Sequence, residues 1–163
     1  MSGDWIQGDL VITASVLEEL KAHAIATYPS ECCGYVTGPA AEPTLLDASE
    51  RAENEADKYH KLDPETFPRT SKEYFKINEL KAGKIFDAGA KAGRPVKVIY
   101  HSHPNVGAYF SSEDAATFAS DNTLMWPCAF IVLASRADHV AEVKLHVHVP
   151  GTNTFRESKL EVR

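Results

Sequence analysis

The chain has 163 residues, 44% of them hydrophobic and 25% charged, with 17 Lys and Arg against 23 Asp and Glu for a formal net charge of −6. That length suits one domain spanning 1–163, with a core large enough to fold without disulfides or metal staples. The acidic balance repels a phosphate backbone, and no basic stripe offsets it, which argues against nucleic-acid binding.

Met1–Leu10 has acids and glycines where a secretory leader needs a basic end and an apolar run. No stretch approaches the ~20 apolar residues of a membrane helix. Cys32 and Cys33 are adjacent and Cys128 stands alone, too few and too badly spaced for a disulfide framework. These features predict a protein of the reducing cytoplasm, with the cysteines as small core or loop residues.

In chain order, Leu10–Thr13 reads as a short strand, and Ser15 as the cap of a helix over Val16–Thr27 that Pro29 ends. Cys33–Thr37 reads as a strand closed by Gly38-Pro39, with Thr44–Ala48 as its hairpin partner. Ser49–Asp57 reads as an exposed loop or sheet edge, Tyr59–Asp63 as a further strand, and Asp63-Pro64 as a helix entry. Apolar positions between Tyr74 and Ala92 predict a helix of several turns, weakened by Gly83 and Gly89.

Val96–His101 is nearly all apolar and predicts a central strand buried on both faces. Ser111–Ser120 predicts a short helix and Ala129–Ala134 a buried strand. Val140–Val149 alternates, so His146 and His148 are expected on a solvated face without metal. Phe155–Val162 closes the chain as an edge strand. Strands interleaved with helices give an α/β class: a mixed β-sheet flanked by helices. His23, His60 and His139 are expected to be surface or satisfied residues.

The chemistry concentrates where the central strand ends, at His101-Ser102-His103-Pro104, followed by Ser111-Ser112-Glu113-Asp114. Residues two apart on a strand share a side, so His101 and His103 present their imidazoles together. Pro104 stops the strand at the carboxyl end of the sheet, where ligand sites of α/β proteins collect. Asp114 falls in the first turn of the next helix. Two imidazole nitrogens and one carboxylate oxygen form a three-ligand zinc set with a position left for water. Ser111-x-x-Asp114 is also a helix capping arrangement, and the two roles are compatible. Trp126-Pro127-Cys128 lacks the His-x-Glu and second Cys of a zinc deaminase.

The string His101-Ser102-His103, seven residues, Ser111, two residues, Asp114, with Glu31 upstream in Pro29-Ser30-Glu31-Cys32-Cys33-Gly34, resembles the JAMM (MPN-plus) metalloprotease family, most of all its compact prokaryotic type. The resemblance implies a cytidine-deaminase-like sandwich in which His101, His103 and Asp114 bind Zn2+. It implies Glu31 as the general base that relays a proton from water to the leaving amine, and Ser111 as donor to the oxyanion. Ser102 is expected to be a structural hydrogen-bonder.

The implied reaction is hydrolysis of a peptide or isopeptide bond, after the C-terminal Gly-Gly of a ubiquitin-like or sulfur-carrier protein. Asp121–Cys128 is too short for the longer insertion that helps eukaryotic relatives hold ubiquitin, which favours a smaller carrier. A catalytically lapsed scaffold and a zinc hydrolase of small amides are the alternatives. The resemblance leaves homodimer formation open, and Tyr109 and Phe110 open as substrate contacts or core.

Overall fold

A computed structural model describes residues 4–163. Its elements are β1 (Leu10–Ile12), α1 (Ala14–Thr27), β2 (Cys33–Thr37), β3 (Leu45–Leu46), β4 (Ala48–Ala52), α2 (Ala56–Leu62), α3 (Glu79–Lys91), β5 (Val96–Pro104) and α4 (Ser112–Phe118). The chain continues through β6 (Ala119–Ser120), β7 (Thr123–Leu124), β8 (Ala129–Ser135), β9 (Val140–His148), β10 (Phe155–Ser158) and β11 (Leu160–Val162). Among the described residues, no helix is long and apolar enough to cross a membrane.

Six strands form one mixed sheet in the order β10-β9-β8-β5-β2-β4. Only the β5–β8 pairing is parallel. The central strand β5 is buried through His103, as its unbroken apolar run predicts. A second sheet, β11-β1-β3, is parallel throughout. Side chains on the two faces of the main sheet fill separate cores. Val16, Leu20 and Ala24 of α1 pack with Val36, Val98, Ile131, Leu133 and Leu145 on one face. Phe75, Ala82, Val96, Ile99, Phe118 and Phe130 pack on the other, beneath α3 and α4. The architecture is the expected mixed sheet flanked by helices.

Several expectations need correction. Thr13, not Ser15, caps α1, its hydroxyl accepting the Val16 N–H at 3.3 Å. Tyr59–Asp63 is the end of a helix and its C-cap, not a strand: α2 runs Ala56–Leu62, and the Asn54 side chain takes the Ala56 N–H at 3.0 Å. Asp63-Pro64 opens a turn instead of a helix: the Asp63 carboxylate accepts the Thr66 N–H at 3.3 Å and its carbonyl accepts the Phe67 N–H at 2.9 Å. The long helix starts at Glu79 with Asn78 as cap, leaving residues 63–78 as an irregular segment.

The Thr44–Ala48 hairpin divides between two sheets. Leu45–Leu46 joins β1, while Ala48–Ala52 pairs with β2 as the sheet edge. Phe155–Val162 divides the same way, with β10 on the main sheet and β11 beside β1. The predicted helix after Ser111 ends at Phe118, and Ala119–Ser120 and Thr123–Leu124 make a small hairpin.

His146 and His148 are buried at 4% and 5% exposure, not solvated. The opposite side of β9 is buried as well, and each imidazole is satisfied by one backbone carbonyl, Ala108 O at 2.8 Å and Thr152 O at 2.6 Å. The cysteines are free and buried, and burial pushes the Cys32 thiol up to about 11 and the other two higher still.

Candidate metal and catalytic site

His101 and His103 project from the same face of β5, one above the other, as the two-residue repeat of a strand requires. Their Nε2 atoms lie 3.1 Å apart. Asp114 Oδ2 lies 3.1 Å from His101 Nε2 and 3.2 Å from His103 Nε2. The helix cap delivers that carboxylate. Ser111 Oγ accepts the Asp114 N–H at 3.0 Å while Asp114 Oδ2 accepts the Ser111 N–H at 3.0 Å. The cap and the approach to the histidines are one feature: the reciprocal bonds that start α4 also aim its carboxylate at the imidazoles.

The three atoms form a nearly equilateral triangle. Two ligand atoms on a tetrahedral zinc, each about 2.0–2.1 Å from the ion, stand roughly 3.3 Å apart. Edges of 3.1, 3.1 and 3.2 Å thus suit a small divalent cation, with one corner left toward the solvent side. The donor chemistry also fits. His103 Nδ1–H donates to Gly107 O at 3.1 Å, which leaves Nε2 with its lone pair toward Asp114. His101 Nδ1 is buried without a hydrogen-bond partner among the described residues, and its ring stacks on Phe75 at 4.3 Å.

Glu31 enters from the loop between α1 and β2. Its carboxylate and the two imidazoles offer ligand atoms that all lie within 4.8 Å of one another. The backbone around it is tied on both sides. Glu31 N–H donates to Ser71 O at 2.6 Å, and Asn54 Nδ2 donates to Glu31 O at 2.9 Å. Ser102 turns to the other face of β5, where its hydroxyl accepts the Cys32 N–H at 2.8 Å and its own N–H donates to Cys32 O at 3.1 Å. It fastens the Glu31 loop to the strand that carries the histidines.

The electrostatics follow from burial and crowding. Burial pushes Glu31 up to about 9, the Asp114 charge adds to that, and Arg69 opposes it. Burial presses His101 below the ordinary imidazole range. Burial would raise Asp114 too, but its attraction to and hydrogen bond with His101 outweigh this and hold the carboxyl well below the usual range. An ionised carboxylate beside imidazoles with free lone pairs is the donor state a zinc site needs.

Above the triangle opens a cleft of about 210 Å3. It is lined by Glu31, His103, Ser111 and Asp114, by Arg69, Lys72 and Tyr74 from the irregular 63–78 segment, and by Val106 and Tyr109 from the loop after β5. Arg69 is held over the Tyr74 ring at 4.6 Å and pairs with Glu113 at 3.2 Å. Tyr109 is half exposed beside His103, whereas Phe110 packs into the core against Phe130 and Phe155.

All five residues expected at the site are thus brought together. Sequence reasoning missed Asn54, Ser71 and Phe75, which position Glu31 and His101, and Arg69 and Tyr74 of the cleft. Asn54 had a readable signal, since an Asn side chain readily accepts the N–H two residues on and so favours a turn. Its other bonds, to Glu31 O, Tyr74 O and Lys76 N, depend on the tertiary fold.

The family model described as prokaryotic homologs of the JAB domain matches residues 13–146. The chain belongs to that family. The chain is also 26% identical over 145 residues to a CysO-cysteine peptidase of Mycobacterium tuberculosis and to one of Mycobacterium bovis, covering 89% of this chain and 86% of each relative. Solved structures share the fold. A protein from Desulfitobacterium hafniense superposes with a TM-score of 0.67 at 20% identity, covering 95% of this chain and 93% of that one. A JAB1/MPN domain protein from Archaeoglobus fulgidus does so with a TM-score of 0.55 at 16% identity, covering 96% and 99%.

Proposed function

We propose that this JAB-domain protein is a zinc-dependent peptidase that hydrolyses the amide bond following the C-terminal glycine of a ubiquitin-like sulfur-carrier protein. The observation that carries the reading is the triangle of His101 Nε2, His103 Nε2 and Asp114 Oδ2, with edges of 3.1–3.2 Å, at the base of an open cleft beside Glu31. The relatives called CysO-cysteine peptidase support the substrate class.

Zinc held by His101, His103 and Asp114 would supply a water acidified toward neutrality and a polarised carbonyl. The chain's own groups do the rest. The Glu31 carboxylate takes the proton from the attacking water and passes it to the leaving nitrogen. Beside a bound cation the Glu31 carboxyl would stay ionised and within reach of the water, the form a base needs. Ser111 Oγ already accepts from Asp114 N–H, so its own proton is available to the oxygen that gains charge at the scissile carbonyl. Tyr109, Val106, Arg69 and Tyr74, which line the cleft, are the side chains that would meet the chain entering it. The complete ligand set favours an enzyme over a lapsed scaffold of the same fold.

The test uses a sulfur-carrier protein ending in Gly-Gly joined to one further amino acid. Glu31→Gln should keep its zinc and lose cleavage by about 10²–10⁴-fold, the usual worth of a positioned general base. A Glu31→Gln protein that cleaves at the wild-type rate would sink the mechanism.

A further inference from the structure

The loop between β5 and α4 is fastened at every residue from Asn105 to Ala108. Asn105 N–H donates to Ser135 O at 2.9 Å, and Asn105 Oδ1 accepts from Tyr28 Oη at 2.8 Å. Val106 O accepts from Arg136 Nη1 at 3.1 Å. Gly107 O accepts from His103 Nδ1 at 3.1 Å. Ala108 is gripped twice from β9. Its N–H donates to Glu142 Oε1 at 2.9 Å, and its carbonyl accepts from His146 Nε2 at 2.8 Å. A carbonyl only accepts, so the proton sits on Nδ1 of His103 and on Nε2 of His146.

The Gly107 carbonyl and the Ala108 N–H belong to one peptide unit. That unit is planar and trans, so its C=O and N–H point in opposite directions and turn together. Glu142 therefore holds one end of the peptide whose other end holds His103. The series runs carboxylate, peptide, imidazole, Nε2 lone pair. A charged acceptor on the N–H also polarises the peptide and makes its carbonyl a stronger partner for the imidazole N–H, and such partners raise the basicity of a metal-binding histidine.

We propose that Glu142, acting through the 107–108 peptide, is a positioning residue that sets the tautomer and metal affinity of His103, with His146 locking the following peptide. The inference rests on the zinc site proposed above, but one of its measurements does not need zinc. Glu142 has a side chain 44% exposed, so its replacement leaves the core intact. His146 is buried, and its variants are open to folding defects that Glu142 variants avoid.

The experiment compares wild type, Glu142→Gln and Glu142→Ala. Zinc affinity is read by competition with a chromogenic chelator. The His103 ring tautomer is read by nitrogen-15 NMR on metal-free protein. Glu142→Ala should weaken zinc binding about 10–100-fold, and His103 should change from a single Nδ1–H tautomer to a mixture. Glu142→Gln keeps an acceptor oxygen and should restore most of both. Zinc binding at wild-type strength in Glu142→Ala, or a Glu142→Gln as impaired as Glu142→Ala, overturns the relay. If the wild-type chain takes up no zinc, the metal reading fails, and the His103 tautomer alone decides whether Glu142 controls the ring.

Discussion

His23 lies on α1 with only 8% of its surface exposed, and its Nδ1 is 2.6 Å from the Tyr100 hydroxyl on the adjoining face of β5. The approach depends on Gly34, where a Cβ would stand 2.6 Å from that hydroxyl oxygen. Burial, with Arg51 adding to it, pushes His23 down to about 4. The folded pKa lies below the unfolded one, so between pH 4 and 6.5 the unfolded chain holds more protons than the folded chain. Stability therefore falls as pH drops through that window and levels off below it. Linkage gives a loss of about 2 kcal/mol from this one group between pH 7 and pH 4.5. His101 is pushed in the same direction, so the wild-type curve alone does not isolate His23. The decisive quantity is the difference from His23→Gln, which keeps a polar partner for Tyr100 but does not titrate. Urea unfolding of both proteins, held metal-free with chelator, should show wild type losing about 2 kcal/mol more than the variant over that range. Parallel curves would refute the assignment of a buried, neutral His23.

Two further predictions concern the site. Ser111→Ala removes the side-chain cap, which should cost about 1 kcal/mol in chemical denaturation, and should lower hydrolysis about 10²–10³-fold. Zinc should be retained, because the bond that aims Asp114 comes from the Ser111 backbone N–H. Asn54→Ala deletes the four hydrogen bonds that hold Glu31 O, Tyr74 O, Ala56 N and Lys76 N. Its kcat should fall about 10²-fold from a misplaced Glu31, with metal content unchanged by elemental analysis, since the ligands sit on β5 and α4.

The legible parts of the sequence were those set by local chemistry. His101, His103, Ser111 and Asp114 were readable because a strand places alternate residues on one side and a helix cap fixes its first turn. Val96–His101 was readable because a short run rich in Val, Ile and Tyr suits a strand buried on both faces. The segment 54–78 was not. Its backbone is organised by partners distant in sequence, such as Asn54 with Tyr74 and Lys76, and Ser71 with Glu31, so no periodicity marks it. β9 misled for a related reason. Alternation predicts one wet face, but loop 105–110 and Phe155 cover the histidine side, a contact only the folded chain creates. Likewise, Leu45–Leu46 and Leu160–Val162 leave the main sheet to pair with β1, a choice invisible in their composition.

The central claim is that His101, His103 and Asp114 together hold one divalent ion. Native mass spectrometry after zinc loading and desalting tests it directly, on wild type, Glu31→Gln and Asp114→Ala side by side. One zinc per chain is expected in the first two and none in the third. A wild-type chain that keeps no zinc, or an Asp114→Ala chain that keeps a full equivalent, would contradict it.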